Sequence, residues 1–432
     1  MNDRVRKGWC PGALRPMPAG DGLLVRLRLT GGILSPAVAL AIVRLAQDCG
    51  NGCMEISSRA NLQLRGIREE SLARLQDGLG ELGLLDDSFA AEAVRNVMAS
   101  PLAGLDPAIA PDIRPVVAAL ERKLAQSRDL HKLPAKFLFL IDDGSDPGLS
   151  RQLADVRFEW SRPAGHFRVV LGGAEDVALG ACGLDDLPDR AANIARMFLG
   201  LCGIGAEADR RMEHLVHRIG IDALASKLGV VAQHVPPAGA PVNPARCLGP
   251  HGFGTGFFAG LAAPFGRLQA GDLAQLARLV ERQPGADLRL TPWRMLLAVG
   301  MSESAARRLL PALEPSAWIA DAADPRLAVA ACSGFAACAK ATTQVQDDAA
   351  RLALALRPPQ GAGIFLHVSG CAKGCAHNKP AALTLVGHGG LYDLVENGFA
   401  RDAPARSGLS PADVLAFMQA RQTATLGTQK LG

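Results

Sequence analysis

An internal repeat constrains the fold of this chain more than any other feature of its sequence. Residues 21–79 align without a gap on residues 255–313, which lie 234 positions further along the chain. Identical residues coincide at Gly32 and Gly266, Arg44 and Arg278, and Gly66 and Gly300. Apolar positions also correspond where identities do not. Chance is a poor explanation for one register kept over this length, so the sequence predicts two copies of one structural unit.

Each copy reads as strand, helix, strand, helix. In the first copy, "GLLVRLRL" alternates apolar and basic residues as a half-exposed strand does. The stretch "SPAVALAIVRLAQ" has a Ser N-cap, an early Pro and helical apolar spacing. "CMEISSRANLQLRGI" reads as extended, and "EESLARLQDGLGELG" as a helix that stops at glycine. Two such βαβ-containing units are expected to pack about a pseudo-twofold axis, with a site at their junction.

A longer mixed region follows each copy. These regions contain strand-like runs such as "FRVVLGG" and "AALTLVG", and the Pro- and Gly-rich "VPPAGAPVNPARCLGPHG" marks the boundary between the halves. We therefore predict two repeated half-domains at 1–90 and 241–317, and two mixed domains at 91–240 and 318–432.

The stretch "GTGFFA" matches a dinucleotide-binding fingerprint only in its letters. In the repeat, Gly256 and Ala259 coincide with the strand positions Gly22 and Val25. The fingerprint instead requires a strand-to-helix turn whose helix N-terminus faces a pyrophosphate. We do not expect a nicotinamide site there.

Four cysteines form two close pairs on loops of the last domain, at Cys332, Cys338, Cys371 and Cys375. The small residues around them leave room for a bulky inorganic core and let backbone N–H groups approach its sulfides. Four thiolates at this spacing fit a [4Fe–4S] cluster. Structural zinc is the first alternative, although it prefers tighter spacing in both pairs. Four free thiols are the second alternative.

The remaining cysteines and one histidine pair are weaker signals. Cys49 and Cys53 lie at a helix-to-strand turn with no second pair nearby in sequence. Cys10 is isolated, and a small buried hydrophobe is the usual role of such a cysteine. His214 and His217 share one helical face, for which we favour a packing or surface role over iron binding.

Composition excludes several classes of function. The formal charge is only +4, and no basic run resembles a nucleic-acid footprint. No uncharged apolar stretch is long enough to cross a membrane, and the first residues lack the apolar core of a signal peptide. Ten cysteines in such a chain indicate reduced thiols and metal ligands. We expect a cytoplasmic protein that binds neither nucleic acid nor membrane.

Taken together, the motifs resemble the siroheme-dependent nitrite and sulfite reductase superfamily. Five matching stretches follow the order of that family: "ISSRANLQLRGI", "VRNVMASPLAG", "LPAKFLF", "ACSGFAAC" and "VSGCAKGCAHN". The resemblance implies an α+β fold with duplicated ferredoxin-like half-domains related by pseudo-twofold symmetry. Each half-domain would be followed by a mixed α/β reductase-type domain, and the last of these would carry a [4Fe–4S] cluster on the four paired cysteines.

The same resemblance implies a set of cations that face a tetrapyrrole. Guanidinium groups suit the many carboxylates of such a macrocycle because they bind carboxylates with two hydrogen bonds and stay charged when partly buried. Arg59 and Arg65, six apart on an expected strand, should point to one face. The second copy has Trp293 and Val299 at these positions, so the cationic surface is predicted in the first half only. The residues implied are Arg59, Arg65, Arg95 and Lys136, of which Arg95 and Lys136 would also be catalytic.

One departure from the reductases bears on the activity. They generally place a second lysine two residues after the first, whereas this chain has Leu138 two residues after Lys136. Loss of a cation weakens capture of sulfite or nitrite. The wording of "WCPGALRPMPAGDGLLVRLRLTGGILS" and "HVSGCAKGCAHNKPAALTLVG" is instead similar to the precorrin-3B synthase branch of the superfamily.

That branch implies a monooxygenase of aerobic cobalamin biosynthesis. Its substrates would be precorrin-3A and O₂, with hydroxylation at C20, closure of a γ-lactone and an electron donor that uses NADH. A mononuclear non-haem iron would accompany the cluster. Its ligands are not visible in the sequence, although His367 and His377 lie nearest the cysteine motif. The alternatives are a siroheme-dependent sulfite or nitrite reductase and, less favoured, a purely electron-carrying iron–sulfur protein.

Overall fold

The structure is a computed structural model that describes residues 10–149, 151–203, 208–236, 242–254, 256–356 and 363–428. Part of the predicted boundary between the halves, 237–241, lies outside these residues. In the described ranges, no helix combines the length and the apolar character needed to cross a membrane.

The first copy of the repeat folds as an antiparallel sheet covered by two helices. Ser35 caps the first helix, because its Oγ accepts a hydrogen bond from the Val38 N–H at 3.3 Å. The elements are β1 (Met17–Ala19), β2 (Gly22–Leu27), β3 (Ile33–Leu34), α1 (Pro36–Cys49), β4 (Cys53–Ile56), β5 (Leu62–Ile67) and α2 (Leu72–Glu81).

The region after the first copy forms a six-stranded mixed sheet in the order β11-β10-β9-β8-β7-β6. Its elements are α3 (Phe89–Val94), β6 (Val97–Ala99), α4 (Arg114–Gln126), β7 (Phe139–Asp142), β8 (Val156–Ser161), β9 (His166–Leu171), β10 (Val177–Cys182), α5 (Leu187–Leu201), α6 (Met212–Ile219), α7 (Ile221–Lys227) and β11 (Ala232–His234).

The second copy repeats the first in the predicted register. Strands β2 and β13 begin at Gly22 and Gly256, and helices α1 and α8 begin at Pro36 and Ala270, each pair 234 residues apart. Residues 256–259 of the rejected dinucleotide fingerprint lie within a strand. The elements are β12 (Gly249–Phe253), β13 (Gly256–Ala262), β14 (Arg267–Gln269), α8 (Ala270–Glu281), β15 (Asp287–Leu290), β16 (Met295–Met301) and α9 (Glu303–Ala312).

The two half-domains exchange one strand each. Strand β14 of the second copy pairs with β4 of the first, and Leu268 lies opposite Met54. Strand β3 of the first copy pairs with β15 of the second, and Leu34 lies opposite Leu288. The same 234-residue shift relates the two pairings, and one hydrophobic core is shared between the copies. This exchange fixes the two halves about the expected pseudo-twofold axis.

Each copy differs in one respect from the prediction. The stretch read as a single extended segment is a hairpin, in which β4 and β5 pair antiparallel. Its turn is closed by Ser57, whose Oγ accepts hydrogen bonds from the N–H groups of Arg59 and Asn61. Since β2 also pairs antiparallel with β5, the sheet holds no parallel βαβ unit. Arg59 therefore lies in a turn, and the strand alternation that linked it to Arg65 does not apply.

The C-terminal region forms a mixed five-stranded sheet in the order β17-β18-β19-β20-β21. Strands β17 and β18 are parallel neighbours, so their carboxyl ends meet at one edge of the sheet. Its elements are β17 (Val329–Ala331), α10 (Val345–Leu356), β18 (Leu366–Ser369), β19 (Ala381–His388), β20 (Leu391–Gly398), β21 (Arg406–Leu409) and α11 (Pro411–Thr428).

Candidate functional site

The parallel pair β17 and β18 brings the two cysteine pairs together. Cys332 directly follows β17, and Cys371 lies two residues after β18. The Cys332 N–H donates to the Val368 carbonyl at 3.2 Å, and the Gly370 N–H donates to the Cys332 Sγ at 3.2 Å. Burial raises the pKa of Cys375, and charge on the thiols of Cys371, Cys332 and Cys338 raises it further, whereas Lys373 lowers it. The two cysteine-bearing loops therefore meet at the carboxyl ends of two neighbouring strands.

Glycines allow the first cysteine loop (332–338) and the second cysteine loop (371–375) to pack closely against their surroundings. A Cβ at Gly370 would lie 2.5 Å from the Cβ of Ala341, and one at Gly334 would lie 2.8 Å from the Cβ of Val345. A backbone N–H that points at a cysteine sulfur is the kind of donor that stabilises iron–sulfur centres. The loops thus approach each other closely and supply one backbone donor of the kind that such a cluster uses.

The cysteines are not arranged around a single ion. In the parts of the chain that the structure describes, no three His, Cys, Asp or Glu side chains converge closely enough to hold one metal ion. A tetrahedral zinc needs four ligand atoms about 2.0–2.3 Å from one point. The described side chains therefore do not form a tetrahedral zinc site. The described side chains also do not form a site of two histidines and one carboxylate for a mononuclear iron.

Arg65 ties the first half-domain to the first cysteine loop. Its Nε and Nη2 donate to Asp21 at 3.1 and 3.0 Å, and its Nη1 donates to Glu55 at 3.3 Å. Nη1 also donates to the Ser333 Oγ at 3.3 Å, and Nη2 to the Ala337 carbonyl at 2.6 Å. All five N–H donors are used, and the residue is 3% exposed. This differs from the predicted role, because no donor remains for a tetrapyrrole carboxylate.

Glu55 is the centre of the same network. Its carboxylate accepts from Arg65, from Arg267 at 2.9 Å and from the Ser333 Oγ at 3.1 Å. Burial opposes its ionisation, yet the two guanidinium groups lower the pKa of Glu55. Because Arg267 lies on the exchanged strand β14, the network joins both half-domains to the cysteine loop.

Arg95 is also neutralised by acids. Its Nε and Nη2 donate to Asp86 at 2.9 and 3.0 Å, and its Nη1 donates to Glu121 at 2.9 Å. These carboxylates outweigh desolvation and raise the pKa of Arg95. Its net charge is therefore less available to a ligand than the sequence implied.

Arg59 has a different environment. Its Nη2 donates to the Lys136 carbonyl at 3.1 Å, and no carboxylate lies within 4 Å of it in the described ranges. Desolvation, together with repulsion from Arg211 and Arg26, lowers the pKa of Arg59. A cation whose neighbours repel it is stabilised when an anion binds. Lys136, whose carbonyl accepts this hydrogen bond, is exposed.

Leu138 lines a small cavity together with Arg59 and Arg95. Its side chain is buried in an apolar cluster with Met98 and Leu140. The position that holds a second lysine in the reductases is therefore both uncharged and packed.

Three further arginines near Arg59 were not singled out from the sequence. Burial lowers the pKa of Arg28 to about 10, although Glu92 partly offsets this. Arg26 repels Arg28 as well as Arg59, and Arg211 repels Arg59. The alternating "VRLRL" was read only as a half-exposed strand. What marks out Arg28, the second arginine of this run, is its burial. That burial depends on tertiary packing, which the strand pattern does not reveal.

A second cavity, of about 270 Å³, lies between the second half-domain and the second cysteine loop. Trp293 and Arg294 line it from one side and His377 from the other. The ring of His377 lies 5.8 Å from that of His367, which is fully buried and has no hydrogen-bond partner for either ring nitrogen among the described atoms. Desolvation lowers the pKa of His367 to about 4, so this imidazole is neutral.

Comparison with known proteins agrees with these features. The nitrite/sulfite reductase ferredoxin-like half domain matches residues 15–82. A precorrin-3B synthase from Sinorhizobium sp is 32% identical over 410 residues, which cover 93% of this chain and 85% of that protein. A ferredoxin–nitrite reductase from Synechococcus elongatus is 25% identical over 408 residues, which cover 86% of this chain and 77% of that protein.

The fold is shared with a solved structure. The Mycobacterium tuberculosis NirA protein superposes with a TM-score of 0.71 over 92% of this chain and 79% of that chain, at 21% identity. The predicted α+β architecture with duplicated half-domains is thereby confirmed.

Proposed function

Because this chain belongs to the precorrin-3B synthase family of the nitrite and sulfite reductase superfamily, we propose that it hydroxylates precorrin-3A at C20 with O₂. An acetate side chain then closes a γ-lactone to give precorrin-3B. One oxygen atom enters the substrate as hydroxyl and the other leaves as water, which consumes two electrons and two protons. NADH is the proposed source of both electrons, through a donor protein or reductase. The observation that carries the proposal is the 32% identity over 93% of the chain.

Leu138 favours this activity over reduction of a small anion. Sulfite and nitrite need several converging cations, and here one position is a buried leucine while Arg95 is neutralised by Asp86 and Glu121. A macrocycle with many carboxylates depends less on a cation at position 138, because cations around its periphery can hold it.

We assign the paired cysteines Cys332, Cys338, Cys371 and Cys375 as ligands of a [4Fe–4S] cluster. When bound, this cluster supplies one-electron transfer toward the oxygen-activating step. The meeting of the two loops and the donation from the Gly370 N–H to the Cys332 Sγ support the assignment. No step is assigned to a mononuclear iron, because the described residues do not offer its expected ligand set.

The chain's own cations hold and orient the substrate. Arg59, with Arg26 and Arg211 nearby, binds acetate and propionate groups, and the exposed Lys136 is proposed as a proton donor. Fixing the carboxylates sets which meso carbon faces the reaction site. In well-positioned systems such orientation lowers the activation barrier by up to about 7–11 kcal/mol. Arg95, paired with Asp86 and Glu121, forms part of the wall of this site, where its charge is largely neutralised.

The test is a visible spectrum of the purified protein followed by an assay under air. A broad brown shoulder without an intense red-region band, and an oxygenated product from precorrin-3A with a reductant, are the expected results. Exchange of Cys332 for Ser should remove the shoulder. If precorrin-3A is bound but never oxygenated by protein with an intact cluster, the assignment is wrong.

A siroheme-dependent nitrite or sulfite reductase is the second candidate, favoured by the relative from Synechococcus elongatus. Bound siroheme would give a strong red-region band, and nitrite or sulfite would be consumed anaerobically. These two observations together would replace the first proposal.

A further inference from the structure

The cavity between the second half-domain and the second cysteine loop has the character of an anion site. Arg294, Arg326 and His377 line this space of about 270 Å³, and Arg326 is already paired with Asp324 at 2.6 Å. Ser58 reaches the same cavity from the first half-domain. Three parts of the fold thus enclose one pocket, as is typical of ligand sites at domain junctions.

The charge of Arg294 has no counter-ion. Its Nη1 and Nη2 donate to the carbonyls of Phe265 and Ala376, each at 3.2 Å. No carboxylate in the described ranges lies within 4 Å of its guanidinium, so the two carbonyls are its only charge-stabilising contacts there. Desolvation lowers the pKa of Arg294, and Glu55 only partly offsets this. A desolvated guanidinium without an acid is unfavourable unless an anion completes it.

The backbone at Arg294 is strained. Its φ of 61° lies in the left-handed region, which side chains other than glycine and asparagine rarely adopt. Residues held in this region concentrate at ligand sites, where the surrounding structure offsets the cost. The equivalent residue of the first copy, Ala60, has φ 53°. Arg59 precedes Ala60 as Trp293 precedes Arg294, so each half-domain presents one arginine from the same turn, shifted by a single position.

A metal cation is disfavoured in this cavity. Arg294 acts on both His367 and His377 electrostatically and would repel a further positive charge. A guanidinium that shares a cavity with an imidazole N–H donor suits a carboxylate.

We propose that Arg294 and His377 form a second carboxylate subsite, through which the second half-domain grips an acetate or propionate of the tetrapyrrole as Arg59 does from the first. The identity of the ligand rests on the proposed function, whereas the site's affinity for a carboxylate does not. The macrocycle is thereby held at both half-domains, with its edge beside the second cysteine loop.

Two probes separate the subsite from the proposed function. Uroporphyrin III is a tetrapyrrole with many carboxylates, and benzenehexacarboxylate is a polycarboxylate without a macrocycle. Both are titrated calorimetrically into the wild-type protein and into R294Q, R294K and R294G. R294G introduces glycine, the residue that best tolerates this backbone conformation, so a loss of binding in R294G does not come from backbone strain. R307Q is the control, because Arg307 is exposed and pairs with Glu303 on α9.

Loss of one charged hydrogen-bonding group should weaken binding of both probes by about tenfold to a hundredfold in R294Q and R294G. R294K should recover part of this, because lysine keeps the charge but not the fork. R307Q should bind within about twofold of wild type, as expected for a surface change.

Other outcomes decide the matter in different ways. If the wild type binds uroporphyrin III and R294Q and R294G bind it equally well, the subsite is overturned and the proposed function stands. If the wild type binds only benzenehexacarboxylate and R294Q no longer binds it, the carboxylate subsite is supported and a tetrapyrrole as its ligand is rejected. If the wild type binds neither probe, the subsite is overturned.

Discussion

Two arginines of one hairpin, Arg59 and Arg65, lie in opposite electrostatic surroundings. All five donors of Arg65 are used by Asp21, Glu55 and the first cysteine loop, and its pKa is raised despite burial. Arg59 donates to one described carbonyl, and desolvation together with repulsion from other arginines lowers its pKa. The comparison teaches that neutralisation by acids, rather than the presence of an arginine, separates a structural cation from one that is free for a ligand.

The second half-domain repeats the contrast. Arg267 on β14 pairs with Glu55 at 2.9 Å and reaches the Ser333 carbonyl at 3.3 Å, so it belongs to the same network as Arg65. Arg294 has only carbonyl partners among the described atoms. Arg65 and Arg267, which pair with acids, thus lie at the interface with the first cysteine loop. Arg59 and Arg294 lie in the turns after β4 and β15.

Replacement of Arg65 by Ala should have the largest effect. It leaves the partly buried carboxylates of Asp21 and Glu55 without their main partner and removes the link to Ala337, and breaking a buried pair costs about 3–5 kcal/mol. We expect this loss in the free energy of unfolding by urea, together with lower iron content.

Arg74→Ala is the matched control. Arg74 pairs with Asp48, but both side chains are largely exposed, so the change should cost less than about 1 kcal/mol. Equal effects at positions 65 and 74 would show that the network does not hold the cysteine loop.

Gly20→Ala tests the same interface without altering a charge. The Gly20 N–H donates to the Ala337 carbonyl at 3.2 Å, and an added Cβ would overlap the carbonyl oxygen of Ala336. Forcing the loop away should cost about 1–3 kcal/mol of unfolding free energy.

The control for this change is Gly271→Ala on α8, where nothing lies within 4 Å of the added Cβ. It should be neutral or stabilise by up to about 1 kcal/mol, since alanine favours helix. If Gly20→Ala behaves like this control, the close approach of the β1–β2 turn to the first cysteine loop is not needed for stability.

The repeat made much of the fold predictable, because glycine positions and apolar periodicity are local properties that survive duplication. The hairpin turn was missed because "SSRANLQ" has no Gly or Pro, and a non-glycine residue, Ala60, takes the left-handed conformation. The exchange of β3 and β14 was missed because it depends on contacts between the copies.

The candidate site was predictable in its cysteines but not in its arginines. Cys332 and Cys371 follow neighbouring parallel strands, and pairs of close cysteines are visible in sequence. The neutralisation of Arg65 and Arg95 depends on acids brought from distant segments. Arg294 was missed because the copies were compared position by position, and its counterpart Arg59 is shifted by one residue.

Arg59→Gln should weaken tetrapyrrole binding without a large change in stability. Removal of a charged hydrogen-bonding group costs about 1.5–3 kcal/mol of binding free energy, or tenfold to a hundredfold in affinity for uroporphyrin III. Arg95→Gln should lower the affinity less, because two acids already neutralise Arg95. Equal losses of affinity at the two positions would show that neutralisation does not decide which arginine binds the ligand.

The smallest expected effect is the pH dependence of the network around Glu55. Burial opposes its ionisation, but Arg65 and Arg267 lower its pKa below the usual 4.5. A carboxyl whose folded pKa is depressed stabilises the fold fully above its unfolded value, and this contribution is lost as pH falls through the folded pKa. The unfolding free energies of wild type and Glu55→Gln should therefore differ by a constant amount from pH 7 to 5 and converge below pH 4.5. Glu303→Gln, on an exposed helix face, should show no such convergence. A gap between wild type and Glu55→Gln that widens with acid would mean that the arginines do not control this carboxylate, and the contrast between Arg65 and Arg59 would lose its electrostatic basis.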